Sequence, residues 1–382
     1  MRKISQSAAV HYRLAILEGG HEVLSVPRKR NLILDQGLNG IASRTWADSF
    51  SHAAVGTGTT PTKRDSSAIT FTRAGNMVTA SAGFFEASDV GRILKLDTGE
   101  EMYILVFNSA TEVEVNTSGA LSASEGTVWY VNQTALTAEV KRTNTYSTDG
   151  GANGSTWDGV SGTWTMKRTF IFSAEVATVN YREIGWSHTG SGGSNLFGRD
   201  LLAGSGVVLV AGQQLKVEVE LTVALSPASP EVYANVITGW TQDGQHGIED
   251  CRIGRVKADG SNEGGRLDPS TGNFQWSMVP ASTALRASAD PTDCDIPGAN
   301  IATINLTGQA YVAGSFTRNY VGTFDVNQGN RSDWRSMGIG GNPGGGQFRT
   351  VYRVLLDAAE TKDSDHSLTI TFALSWGRDL QN

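Results

Sequence analysis

From Leu215 to Leu225 the chain alternates without a break. Leu215, Val217, Val219, Leu221 and Val223 fall on one side of an extended strand, and Lys216, Glu218, Glu220 and Thr222 on the other. A period of two marks a strand with one face in a core and the other in water, and a helix cannot use it. The pattern returns near the C-terminus, where Leu368, Ile370, Phe372, Leu374 and Trp376 alternate with small or polar residues, each 153 positions after its counterpart. The same shift carries Arg182 to Arg335 and Gly185 to Gly338, and a shift of 152 carries Gly162-Thr-Trp-Thr165 to Gly314-Ser-Phe-Thr317. Both halves hold a Gly-rich loop, at 190–194 and 340–346. Duplication of one β-domain accounts for the echo; two unrelated antiparallel domains that end alike are the alternative.

Composition points the same way. Of 382 residues, 45 are Gly and 9 Pro, and 18% are charged, below the ~25% usual for soluble proteins. Such a chain suits many short strands and tight turns rather than long helices. The net charge of −7 argues against a nucleic-acid partner, which would need a basic surface. Arg28-Lys29-Arg30 is the one dense basic cluster and reads as a solvated strand end. No apolar run approaches ~18 residues and no signal core opens the chain, so neither membrane insertion nor export is expected. Cys251 and Cys294 fit no metal spacing and are expected as two free thiols, a single disulfide being the alternative.

Along the chain, His11–Leu17 and Glu22–Val26 flank Gly19-Gly20 and predict a hairpin closed by Pro27. Asn31–Ser49 is the best helix candidate, kept short by Gly37 and Gly40. Residues 69–132 hold at least four short strands and predict a separate small module. Ser226-Pro-Ala-Ser-Pro230 reads as a linker. The expected fold class is therefore mainly β: two antiparallel β-sandwich-like domains, an inserted small β-barrel-like module, and little helix. The expected boundaries are 1–68 plus 133–225 for the first domain, 69–132 for the insert and 226–382 for the second domain.

The search for chemistry is negative. Ala54-Val-Gly-Thr-Gly-Thr-Thr-Pro61 lacks the closing Gly-Lys-Ser/Thr of a phosphate-binding loop and reads as a strand-ending turn. The six histidines make no HxH or HExxH pattern, and there is no G-x-S-x-G elbow. Asp290, Asp293 and Asp295 could offer oxygen ligands to a cation but lack the loop Gly and terminal Glu of an EF-hand, so a solvated turn is the plainer reading, as it is for Asp363 and Asp365. Glu100/Glu101 and Glu249/Asp250 would form a glycosidase pair only across a cleft of the right width. No catalytic residue, metal site or cofactor is expected. The candidate binding residues are the loop tryptophans Trp157, Trp240, Trp276 and Trp334, whose rings could stack on a sugar or anchor a protein interface. Trp164 and Trp376 are expected to face a core.

Two segments carry a resemblance. Asn31-Leu-Ile-Leu-Asp-Gln-Gly-Leu-Asn-Gly-Ile41, the Gly56-Thr-Gly58 loop, Asp65 and Thr134-Ala-Leu-Thr-Ala-Glu-Val-Lys-Arg142 follow one another in an order that resembles a group of phage tail and fibre-associated proteins. In those proteins the Gly-Thr-Gly loop leads almost directly into the Thr-x-Leu-x-x-Glu strand, whereas here residues 69–132 interrupt it. The insert, with Asp89-Val-Gly-Arg92 and Ser109-Ala-Thr-Glu-Val113, is similar to small β-modules of phage tail tubes, fibres and tailspikes. The resemblance spans roughly residues 30–225 and brings no catalytic residue with it. It implies a bacteriophage virion structural protein: a tail component such as a fibre, collar, baseplate or tail-tip connector, assembled in the host cytoplasm. Its implied partners are other virion proteins and its own copies, in a symmetric ring or trimer. Three alternatives stand beside this reading. One is a host-glycan or receptor-binding module on the virion, another a head-attached decoration or fibre protein. The third is a polysaccharide depolymerase, a class that favours β-helices of many short repeats.

Overall fold

The computed structural model describes residues 2–41, 48–145, 154–158, 163–193, 195–202, 204–226, 232–233, 246–247, 250–253, 255–256, 262–263, 283–288, 300–341 and 349–380. The fold is mainly β, with one short α-helix among the described residues. In the first half the strands are β1 (Arg2–Glu18), β2 (His21–Ile33), β3 (His52–Gly56), eight strands of the insert, then β12 (Glu139–Thr143), β13 (Gly154–Asp158), β14 (Thr163–Ile171), β15 (Val179–Tyr181), β16 (Glu183–Ser187), β17 (Leu196–Leu201), β18 (Val207–Leu209) and β19 (Gln214–Ser226). The insert strands are β4 (Lys63–Asp65), β5 (Phe71–Ala74), β6 (Met77–Ala80), β7 (Ile93–Leu96), β8 (Glu101–Ser109), β9 (Glu112–Val115), β10 (Leu121–Ser124) and β11 (Gly126–Trp129). The longer strands of the second half are β20 (Asp250–Ile253), β21 (Thr283–Ser288), β22 (Asn300–Gly308), β23 (Thr317–Phe324), β24 (Arg331–Gly341), β25 (Arg349–Lys362) and β26 (Leu368–Arg378).

The alternating strand of the sequence is β19, and its alternation becomes burial. Leu215, Val217, Val219, Leu221 and Val223 lie in the main core with Val10, Tyr12, Leu14 and Ile16 of β1. Facing them across that core are Ala53 and Val55 of β3, Ile184 and Trp186 of β16, and Phe197 of β17. Two packed layers with alternating inward residues make a β-sandwich. β2 belongs to both layers: its first part pairs with β1, and Leu32 and Ile33 pair with β17.

The expected hairpin forms around Gly19 and Gly20, both at positive φ, with Glu18 opposite His21. Pro27 does not end it. The strand runs on to Ile33 because Pro27 falls at a bulge, where two residues of β2 oppose Arg13 alone and a missing N–H costs nothing in the ladder. The helix candidate is correspondingly shorter than Asn31–Ser49. Asn31–Ile33 is strand, and α1 (Asp35–Ile41) buries Leu38 and Ile41.

The echo in sequence is also an echo in pairing. β14 lies antiparallel to β19 with Thr163 opposite Ala224, and β23 lies antiparallel to β26 with Thr317 opposite Ser375. Moving the first pair by 152 and 153 positions reproduces the register of the second. The two halves are joined, however, by a ladder that the pattern of antiparallel hairpins does not foresee. β26 runs parallel to β1, with Arg2 opposite Phe372 and Ala8 opposite Arg378. β1 is long enough for β26 to take its first residues and β2 its later ones along one edge, while β19 takes the other. A single sixteen-stranded sheet therefore passes through both halves.

The insert folds its eight strands around a core of its own, built from Phe71, Val78, Phe85, Leu94, Met102, Ile104, Val113 and Val128 among others. Its terminal strands, β10 and β4, are not paired with each other, so the sheet is curled and open rather than a closed barrel. A second apolar cluster joins it to the sandwich: Ile93 and Val131 meet Leu32, Leu34, Ala54 and Leu196.

Candidate functional site

The tryptophans proposed as binding residues are not brought together. Trp240 and Trp276 lie outside the described residues, and Trp157 lies within β13, its backbone opposite Trp164. Trp334 is a correction. It stands in β24 rather than a loop and is 1% exposed, its indole N–H donating to the Gly329 carbonyl at 2.8 Å and its ring edge-on to Phe324. A ring enclosed in this way has no face left for a sugar. Trp376 is buried as expected and donates to the Leu38 carbonyl at 2.8 Å.

The candidate acids are occupied or out of view. Glu100 pairs with Arg73 and Glu101 with Lys95. Asp363 accepts from the Asp365 amide in a turn and contacts His366 at 2.6 Å. Glu249, Asp290, Asp293, Cys294 and Asp295 lie outside the described residues. Among the described residues no three His, Cys, Asp or Glu side chains converge as a metal site would need.

What the motif residues do build is a buried polar clasp. Glu183 and Arg199 are both fully buried and ion-paired at 2.8 Å. One carboxylate oxygen of Glu183 accepts from the amides of Gly58 and Ala138, and the other from the amide of Thr137 and from Arg199 Nε and Nη2. Arg199 also donates to Gln133 Oε1, to the Thr60 carbonyl and to Thr137 Oγ1. The two motif segments on either side of the insert, 56–60 and 133–138, are thus tied to one ion pair. Glycine is required by close approach: a Cβ on Gly56 would lie 2.4 Å from the Ala138 carbonyl oxygen, and one on Gly58 2.4 Å from Glu183 Oε1. The Gly-Thr-Gly loop holds a carboxylate, not a phosphate.

The insert has a clasp of the same kind. Asp89, fully buried, accepts from Arg64 at 2.6 Å, from Arg92 at 2.8 Å and from the Glu86 amide. Arg92 lies over the Tyr130 ring. The Asp-Val-Gly-Arg motif is therefore the staple of this module.

A third junction gathers all parts of the chain at α1. Asp35 contacts Arg378 of β26 and accepts from the Tyr103 hydroxyl of the insert at 3.0 Å. Asn39 accepts from the Tyr311 hydroxyl at 2.6 Å and from the Gly314 amide at 2.7 Å.

The outer face of β1, β2 and β19 is a ladder of paired charges. Arg13 bridges Glu22 and Glu218, Lys216 does the same, and Arg28 pairs with Glu220. Hydrogen bonds from Arg13 and Lys216 hold the Glu22 carboxyl down at about 2. Burial pushes Asp200 above the ordinary carboxylate range; it accepts from the buried Tyr12 hydroxyl at 2.7 Å. Arg28 and Arg30, the basic cluster of the sequence, face Glu220 and Asp379.

Sequence reasoning missed Glu183 and Arg199. Both sit in short runs that are otherwise apolar, Glu183-Ile-Gly-Trp186 and Leu196-Phe-Gly-Arg199. A charge at a core position is the signal, since it persists there only with a partner. Comparison of the chain with family models, curated proteins and solved structures gives no match.

Proposed function

We propose that this chain is a structural protein of a bacteriophage particle, a tail component such as a fibre, collar, baseplate or tail-tip connector that acts by assembling with other virion proteins and with its own copies. One observation carries the reading: the residues that give the chain its likeness to phage tail proteins spend their polar atoms on framework. Gly58, Thr137 and Ala138 donate to Glu183, and Asp89 and Arg92 hold the insert. Motifs used this way keep an architecture, which is what assembly requires, rather than a reaction centre. The insert, tied in by the Glu183–Arg199 clasp at its root and by Tyr103 at α1, gives such a component a second rigid surface beside the sandwich. The test is composition and position: particles purified from the encoding phage should contain the chain in fixed stoichiometry, and an antibody fragment against the insert should decorate the tail in electron micrographs. A chain absent from purified particles overturns the proposal.

A further inference from the structure

β2 has an unusual edge. The strand pairs with β1 from His21 to Asn31, and β17 takes only Leu32 and Ile33. Among the described residues, the outer edge of His21–Arg30 has no strand partner. Val23 and Leu24 on this stretch are each 53% exposed. An open edge of this length pairs with another strand unless something guards it.

The side chains on the edge show a symmetry. Pairing with β1 sets Leu24 opposite Ile16 and Val26 opposite Leu14, so both point to the inner side of the sheet, Val26 against the core and Leu24 largely exposed. Ser25 accepts from Arg13 on the outer side, where Glu22 and Arg28 also make their ion pairs. β2 carries one extra residue on each side of Ser25, within Glu22–Leu24 and within Val26–Lys29. The bulges, like the charges, are therefore disposed evenly about Ser25.

Two copies of one strand related by a two-fold axis pair antiparallel with some residue opposite itself. Centred on Ser25, the register sets Leu24 of one copy opposite Val26 of the other on the inner face. It sets Glu22 opposite Arg28 on the outer face, and Val23 opposite Pro27 where both strands bulge. Apolar pairs and opposite charges directly across from each other are the favourable cross-strand combinations. Centring on Leu24 or Val26 instead sets inward residues against outward ones. Pro27 and the two bulges thus discourage indiscriminate pairing and leave one self-consistent register.

We infer that the β2 edge is a self-association surface, and that its occupant is the β2 edge of a second copy of this chain, paired antiparallel about Ser25. The inference rests on the assembly reading above and gives it a specific contact.

The experiment is a charge swap on the full chain, read by sedimentation over a range of concentrations. Glu22→Arg and Arg28→Glu each set like charges against each other twice per dimer and should weaken dimerisation at least about tenfold. The double variant Glu22→Arg/Arg28→Glu should restore it, although the bonds of Glu22 to Arg13 and Lys216 and of Arg28 to Glu220 stay broken within each copy. Recovery therefore separates a contact between copies from a structural role. Ser25→Cys should give a covalent dimer on mild oxidation, a product that Cys251 and Cys294 alone should not yield. A dimer or larger oligomer indifferent to all three charge variants overturns the inference and leaves the assembly reading standing. A chain that stays monomeric and does not cross-link through position 25 overturns the inference too, and means that Pro27 and the bulges guard the edge. The assembly reading then stands or falls by the presence of the chain in particles.

Discussion

Replacing Arg199 with Met tests the clasp most directly. The substitution keeps the length of the side chain and removes the charge, leaving the fully buried Glu183 without its ion-pair partner. Stranding one member of a buried ion pair costs ~3–5 kcal/mol. At roughly 2–4 °C per kcal/mol for a unit of 150–250 residues, the melting midpoint should drop by about 6–20 °C. An ordinary buried pair would be rescued by making both members apolar, which is often neutral. Here the rescue should fail. Glu183 also accepts from the amides of Gly58, Thr137 and Ala138, and Glu183→Leu/Arg199→Met leaves all three without an acceptor. The Gly58 bond is buried and a buried unsatisfied donor costs ~1–3 kcal/mol, whereas the part-buried amides of Thr137 and Ala138 can turn to water, so the double variant should remain more than ~1 kcal/mol below the parent. Urea unfolding followed by tryptophan fluorescence, with Trp186 of the same core as a reporter, measures both variants. A double variant within ~1 kcal/mol of the parent would refute the claim that the carboxylate organises the loop backbone.

Four further outcomes follow from the same geometry. Asp35→Ala strands Arg378, which is buried at the junction of helix, insert and last strand; it should cost ~3–5 kcal/mol and raise amide exchange in α1 and β26 before the insert, as hydrogen-exchange mass spectrometry would show. Glu22 ionises at about 2 when folded and near ~4.3 when unfolded. Its depressed folded value means that its stabilisation is complete above the unfolded value and is lost as pH falls from there toward 2, so Glu22→Gln should unfold with a shallower pH dependence in that window. Residues 62–131 expressed alone should give a cooperatively melting β unit, because they hold their own apolar cluster and the Asp89 staple. The rest of the chain joined across the gap should fold but bind an apolar dye, since Leu32, Leu34 and Leu196 lose their cover.

Local patterns were legible and distant partnerships were not. The alternation of Leu215–Val223, the Gly19-Gly20 turn and the strand-rich insert follow from short-range rules, and all three appear in the fold. Pro27 misled because its effect depends on whether its missing N–H is needed, and a bulge opposite Arg13 removes that need. Trp334 is expected in a loop from the local sequence, whereas its burial depends on Phe324 in another strand. The clasp escaped because Glu183 and Arg199 are sixteen positions apart and meet only through strand pairing, although their charge at core positions was visible.

The parallel ladder between β1 and β26 sets a timetable. Arg2 leaves the ribosome 370 residues before its partner Phe372. At ~5–20 residues per second the start of β1 waits on the order of tens of seconds for the strand that covers it. During that interval a nascent chain exposes hydrogen-bonding groups of β1 that await β26. Chains that stop short of β26 would keep that edge of β1 open, so the same ladder makes them sticky, whereas β26 covers it where it is present.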